Sequence, residues 1–452
     1  MPPFRRLLPF RSLLRFRSLT VSAATAATIT AAVLVTVPGA GDAAAAPCGT
    51  QGNGSSLPFF DTGSLGSSGS PGSSGSLGSS GSGSGAAQGP QGPLPHFDNG
   101  VTRTVAWTTG PRSANRTFTR FGISGTDLGI AWDNGAGQTL LAFGDTFGDC
   151  TAPGRQWRHN VLLRTTDDDL TNGLTVPDGV PGDVHSGASV AADAPAFARQ
   201  MIGAIGWSGV EVTTIPTSAI AIDGKLYLNY MSVRKWGLPG QWDTNFSATA
   251  VSSDNGQTWT TPPATIRVNA GVSLPIPEGW PSVHANDSKF QQAAYVKGHG
   301  DDDGWVYQFG TPNGRFGGAY LARFRPSDVL DLSRYHYWTG SGWSDSIDDI
   351  PGGSAGRVLP APVTELSVAW SPFLNKYVML HSPTTGVQMR TADHPEGPWS
   401  APRLLVPGTL GLYAPMMLPQ SPALTGTGPD LYFHGSRWDD YNVALVRTRL
   451  SR

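Results

Sequence analysis

The chain has 452 residues, a formal net charge of −2, 14% charged residues, 58 glycines, 37 prolines and 14 tryptophans. No basic patch or stripe is present, so nucleic acid is excluded as an expected partner. No H-E-x-x-H, paired Cys-x-x-Cys or EF-hand loop occurs, so a dedicated metal enzyme has no support and no cofactor is expected.

Residues 1–46 carry Arg5, Arg6, Arg11, Arg15 and Arg17, then an apolar run from Leu19 to Val37 and an alanine-rich end. This is the pattern of a secretory signal peptide, although the apolar run is also near the length of an uncleaved membrane anchor. Removing the five arginines and Asp42 takes 31 basic and 33 acidic residues to 26 and 32, a mildly acidic exported form. Residues 47–100 are rich in Gly and Ser and are expected to form a flexible tether, because such a tract cannot bury enough apolar surface to offset its ordering entropy. Cys48 and Cys150 could pair in an oxidising compartment, which would loop the tether back onto the domain.

Residues 101–452 read as one large all-β domain. Short β-branched and aromatic runs alternate with Gly, Pro, Asn and Asp clusters, and no helical pattern of any length intervenes. One strand type recurs five times: TLLAFGD (Thr139–Asp145), KLYLNY (Lys225–Tyr230), WVYQFG (Trp305–Gly310), KYVMLHS (Lys376–Ser382) and LYFHGS (Leu431–Ser436). Each follows a turn, is preceded by another strand such as DLGIAW or ELSVAW, and is succeeded by a third such as NVLLRTT or NVALVRT. Five such meanders predict a five-bladed β-propeller. The last copy lacks a fourth strand, while RTVAWTT (Arg103–Thr109) stands alone before the first. An N-terminal strand completing the last blade would close the ring and remove the free edge. A β-sandwich or a two-domain all-β chain is the alternative.

In a propeller the first strand of each blade lines the channel. Asp127 in TDLGIAW and Glu365 in TELSVAW therefore sit at matching heights in blades one and four. Asp145 ends the second strand of blade one, beside the start of the first, so Asp127 and Asp145 should share one mouth. Two neighbouring acids are what glycosidic cleavage needs: one protonates the leaving oxygen, the other attacks or activates water. Asp243, Asn245, Arg315, His381 and His434 are candidate substrate contacts, with Trp242 a candidate sugar platform alongside Trp207, Trp236 and Trp438. Each of these could equally be a turn or core residue. Gly144 and Gly148 would leave room for close approach of a ligand or backbone. SSDNGQTW (Ser252–Trp259) matches the Asp-box turn found in many propellers, which supports the fold and names no activity.

As a set, GTDLGIAWDNG, LLAFGDTFGD, ELSVAWSPFLNKYVML, MRTADHPEGPWS and LYFHGS resemble the exported actinobacterial family known as domain of unknown function 4185. The resemblance spans about residues 101–450 and implies a propeller with endo-D-arabinanase activity, its acids falling on Asp127 and Asp145, with Glu365 the candidate for the third acid that furanosidase propellers of related architecture often use. It implies as partner a polysaccharide, the arabinan of arabinogalactan or lipoarabinomannan. A secreted or cell-wall-associated monomer is expected, with membrane contact only if the leader is uncleaved. A non-catalytic glycan-binding propeller, or a hydrolase of another furanoside, is the competing reading.

Overall fold

The computed structural model describes Cys48 and residues 87–452, save 208, 270, 272–279 and 364. The expected leader, 1–46, and most of the tether lie outside the described residues. The end of the tether departs from expectation. Gln91 is buried and donates to the Thr109 carbonyl (3.0 Å), Gly92 N–H donates to Asp440 (2.5 Å), and Thr104 Oγ1 donates to the Pro95 carbonyl (2.7 Å). This segment carries Leu94, Pro95 and Phe97 in place of the Gly/Ser repeat, so it has side chains to pack.

The expected five blades are present. Blade one comprises Leu128–Asp133, Thr139–Phe143 and Val161–Thr165; blade two, Thr213–Ile222, Lys225–Trp236, Trp242–Ser252 and Arg267–Val268. Blade three begins Gln292–Lys297, Val306–Thr311 and Tyr320–Phe324 and adds two short outer strands. Blade four comprises Leu366–Ser371, Lys376–His381, Gly386–Ala392 and Arg403–Pro407. Blade five takes Leu412–Met417, Asp430–Arg437 and Asn442–Arg449 from the C-terminus and its outer strand, Thr102–Trp107, from the N-terminal side. The innermost strands touch one another in cyclic order, so the ring is closed.

Packing explains why the strands read as apolar runs rather than as alternations. A blade is covered on both faces by its neighbours, so both side-chain sets of a middle strand are buried; every residue of Thr139–Phe143 is. Adjacent blades meet through separate apolar clusters. Phe143 and Leu163 pack with Val443 and Leu445 between blades one and five, and Ile220 and Tyr227 with Tyr295 and Phe324 between two and three. Phe309 packs with Met379 between three and four, and Leu380 with Phe433 between four and five.

Polar ties cross the same seams. The Asp-box turn is held by Ser252 and Thr258 on Asp254, and its Asn255 carbonyl accepts from the buried Arg164 of blade one (2.8 Å). Cys48 is disulfide-bonded to Cys150, which follows Asp145 at one end of blade one. Between blades two and three, the buried Arg267 pairs with Asp287 (3.2 Å) and donates to the Tyr337 hydroxyl (3.0 Å). Asp287→Ala should therefore leave an uncompensated guanidinium and lower the unfolding free energy by about 3–5 kcal/mol, measurable by denaturant titration.

Candidate active site at one mouth of the channel

The inner strands begin, and the second strands end, at the same end of the ring. Asp127 immediately precedes the inner strand of blade one, and Asp145 lies two residues beyond its second strand. Gly144 sits between them: its N–H donates to the Asp127 carbonyl (3.2 Å), and a Cβ there would lie 2.4 Å from Asp127 Oδ1. The space expected to admit a ligand at Gly144 is thus filled by the Asp127 carboxylate. At Gly148 the corresponding space is filled by Gln156 and the Gly122 carbonyl.

A β-bulge aims Asp127. Leu128 and Gly129 both adopt φ 70°, and the register slips between Leu128 and Ile130. Left-handed backbone is unfavourable for Leu and persists where the surroundings over-determine it. Here blade five does so: Ser436 Oγ accepts from Leu128 N–H (2.7 Å), and the Gly129 carbonyl is 2.8 Å from His434 Nδ1. A second bulge, with Ala414 at φ 48°, starts the inner strand of blade five and brings Tyr413 to the mouth.

The two acids are bound differently. Asp127 Oδ2 accepts from the Tyr413 hydroxyl (2.9 Å), and the Tyr441 hydroxyl interacts with Asp127 as well. Asp145 is 7% exposed, and its Oδ1 accepts from both Trp157 Nε1 (3.0 Å) and the Thr213 hydroxyl (2.6 Å). Thr213 Oγ1 in turn lies 3.1 Å from His159 Nδ1. With its own proton committed to Asp145, Thr213 accepts, which selects the Nδ1–H tautomer of His159. Burial pushes the Asp127 carboxyl up to about 7, helped by the neighbouring Asp145 charge and opposed by Tyr413. Burial also pushes Asp145 up to about 7, against its two donors.

The remaining candidates divide. Glu365 accepts from Arg315 at 2.6 and 3.1 Å through Oε1, and its charge also raises Asp127. The Arg315 guanidinium lies 4.7 Å from the ring of Tyr413, 4.4 Å from Trp438 and 5.8 Å from Trp242, so it reaches across the mouth from blade three. Trp242 itself is 7% exposed and packed edge-on against Trp236, and so offers no open face as a platform. Asp243 is on the rim, paired with Lys235 (3.1 Å) and Arg234 (3.5 Å).

Three further candidates are buried. Asn245 is buried and donates to the Val210 carbonyl and Ser232. His381 is 2% exposed beside Arg390, and His434 is fully buried under the blade-one bulge. Burial pushes both imidazoles down to about 4, so they are neutral at pH 7. Sequence reasoning missed Tyr413, Tyr441, Trp157, Thr213 and His159. Tyr413 was the most accessible of these, because it precedes the inner strand core of blade five much as Asp127 precedes that of blade one. Among the described residues, no group of three or more His, Cys, Asp or Glu could hold a metal ion.

A closed five-bladed propeller with two buried acids at its mouth is the class that fold and site define. The chain belongs to the family described as Domain of unknown function (DUF4185), whose model matches residues 112–447. The Notoamide biosynthesis cluster protein J of Aspergillus sp. (strain MF297-2) is 25% identical over 338 residues, covering 71% of this chain and 81% of that protein. Among solved structures, the Bacillus subtilis arabinanase is 10% identical with a TM-score of 0.38, covering 71% of this chain and 93% of its own. The exo-beta-1,3-galactanase from Phanerochaete chrysosporium with beta-1,3-galactotriose is 12% identical with a TM-score of 0.40, covering 78% and 64%. Likeness this distant carries no argument about chemistry.

Two substitutions test the geometry. Thr213→Val removes a donor from ionised Asp145 and should disfavour that form by about 1.5–3 kcal/mol, seen as an upward shift of its titration in carboxyl-carbon NMR. Gly144→Ala should displace the Asp127 carboxylate and alter the Asp127 titration while leaving far-UV circular dichroism unchanged.

Proposed function

We propose that this protein is an exported glycoside hydrolase that cuts D-arabinofuranosyl linkages within cell-wall arabinan, in arabinogalactan or lipoarabinomannan. The observation that carries the hydrolase reading is the Asp127–Asp145 pair: two carboxyls in one desolvated mouth, both titrating near neutrality. The substrate rests on the motif resemblance, and export rests on the arginine-rich, apolar leader.

The chemistry follows from the pair. Ionised Asp145 opposes ionisation of Asp127, and with one of the two groups protonated the pair holds one proton. That state supplies a carboxylic acid to protonate the leaving oxygen and a carboxylate to attack the anomeric carbon or activate water. The bonds define the oxygens. Asp145 Oδ1 is engaged by two donors, so a proton on this residue rides on Oδ2. Tyr413 stabilises the ionised form of Asp127. Arg315 offsets Glu365 and limits the negative charge the mouth must hold.

Asp127→Asn and Asp145→Asn should each lower oligosaccharide release from purified arabinan by about 10²–10⁴-fold. Wild-type protein that binds arabinan but releases nothing would establish the non-catalytic, glycan-binding alternative. Activity on L-arabinan or galactan instead would correct the substrate.

The same pKa values set a stability trend. Both groups bind protons more tightly folded (about 7) than unfolded (3.8). Their contribution is therefore fully favourable below about pH 4 and is lost as pH rises through about 7. Either Asn variant should gain about 1–3 kcal/mol over wild type at pH 8, and little at pH 4, measured by thermal melts at both pH values.

A further inference from the structure

Among the described residues, nine large apolar side chains are exposed, and five of them belong to three loops of blades two and three. Ile205 (54% exposed), Trp207 (69%) and Val210 (49%) belong to the connection that enters the inner strand of blade two. Leu238 (70%) is at the hairpin tip between the second and third strands of that blade. Phe316 (55%) occupies the equivalent loop of blade three.

The three loops are tied into one crest. Gly209 N–H donates to the Arg234 carbonyl (3.0 Å), and Arg315 N–H donates to the Gly240 carbonyl (2.9 Å). Asn313 Nδ2 donates to the Trp242 carbonyl (2.5 Å), and a Cβ on Gly240 would stand 3.3 Å from the Phe316 ring. The inner end of the crest joins the candidate site through two bonds. Thr213, three residues beyond Val210, donates to Asp145, and Arg315, next to Phe316, pairs with Glu365. Along its edge Asp243 is half-exposed, with Lys235 and Arg234 beside it.

Exposed apolar side chains on loops that are bonded to one another, with a charged edge beside them, mark a ligand-binding surface rather than scattered exposure. An aromatic face flanked by a carboxylate and cations suits a neutral sugar chain, whose C–H faces stack while its hydroxyls meet the charged edge. We infer that the crest over blades two and three is a binding surface for sugar residues of the glycan chain distant from the bond at Asp127 and Asp145. The inference rests on the hydrolase reading for its direction and deepens it: the enzyme grips a polymer, not an isolated disaccharide.

The test uses full-length protein carrying Trp207→Ala and Phe316→Ala together. Its KM for polymeric arabinan should rise about tenfold, the loss expected when interface anchors are truncated, while kcat/KM on a short chromogenic D-arabinofuranoside stays unchanged. Trp207→Phe with Phe316→Tyr should restore most of the polymer KM. An unchanged polymer KM, or an equal loss on short and long substrates, would overturn the inference. So would light scattering that shows a wild-type dimer dissociated by the double alanine variant, since the crest would then be an interface between copies. If the wild type cleaves neither substrate, the hydrolase reading has failed, and electrophoresis through an arabinan-containing gel decides the crest by itself. Retardation of the wild type that the double variant loses supports it, and no retardation overturns it.

Discussion

The antiparallel pairing of Thr102–Trp107 with Asn442–Arg449 is the constraint on which the mouth depends. A propeller has no edge to spare: blade five without its outer strand would expose a row of unpaired backbone groups and leave one face of the ring free to drift. The pairing runs from Thr102 opposite Thr448 to Trp107 opposite Ala444, and the two threonine hydroxyls at its end are 2.7 Å apart. Closure is what sets blade five against blade one. Tyr413 then meets Asp127 across 286 positions of sequence, Ser436 caps the Leu128 N–H, and the Tyr441 carbonyl accepts from Thr126 N–H (2.8 Å). None of these contacts exists within a single blade.

The mouth is arranged against the stability of the fold. Two carboxyls are held where water is scarce, so their charged forms are disfavoured and their pKa values climb. Leu128 and Ala414 hold left-handed backbone at the two bulges that aim Asp127 and Tyr413. Strain and desolvation of this kind gather at functional sites because the surrounding packing is strong enough to impose them. Five apolar clusters, one between each pair of neighbouring blades, supply that packing. The hydrogen bonds given to Asp145 by Trp157 and Thr213 moderate the desolvation without cancelling it, and its carboxyl stays raised to about 7.

Aromatic residues serve three separate purposes. Phe309, Phe433 and their neighbours fill the seams between blades. Tyr413 and Trp438 stack with ring centres 4.1 Å apart and carry the Arg315 guanidinium, fixing the cation beside Glu365. Trp207 and Phe316 do neither and face solvent. Abundance of tryptophan in the composition could not separate these roles, since stacking, core filling and exposure differ only in what surrounds the ring.

Strand existence and blade count were legible because burial on both faces writes an apolar run, repeated five times between turn residues. Asp127 and Asp145 were legible for a related reason: an acid at the end of such a run breaks the pattern, and antiparallel geometry places the two ends together. Asn245, His381 and His434 are buried, the first two beside Ser232 and Arg390 and the third against the Gly129 carbonyl. A polar residue at a strand end can turn inward to a backbone carbonyl as readily as outward to a ligand, and one-dimensional position does not say which. Thr213, Trp157 and Tyr413 were invisible as partners of the acids because they come from different loops and blades. Local sequence by itself determined the strands, their repeat and the placing of Asp127 and Asp145 at one end of blade one, through hydrophobic period and turn chemistry. Tertiary structure alone decided the proton affinities of those acids, the bulges that aim them and the crest beside them, because each depends on which distant groups replace water.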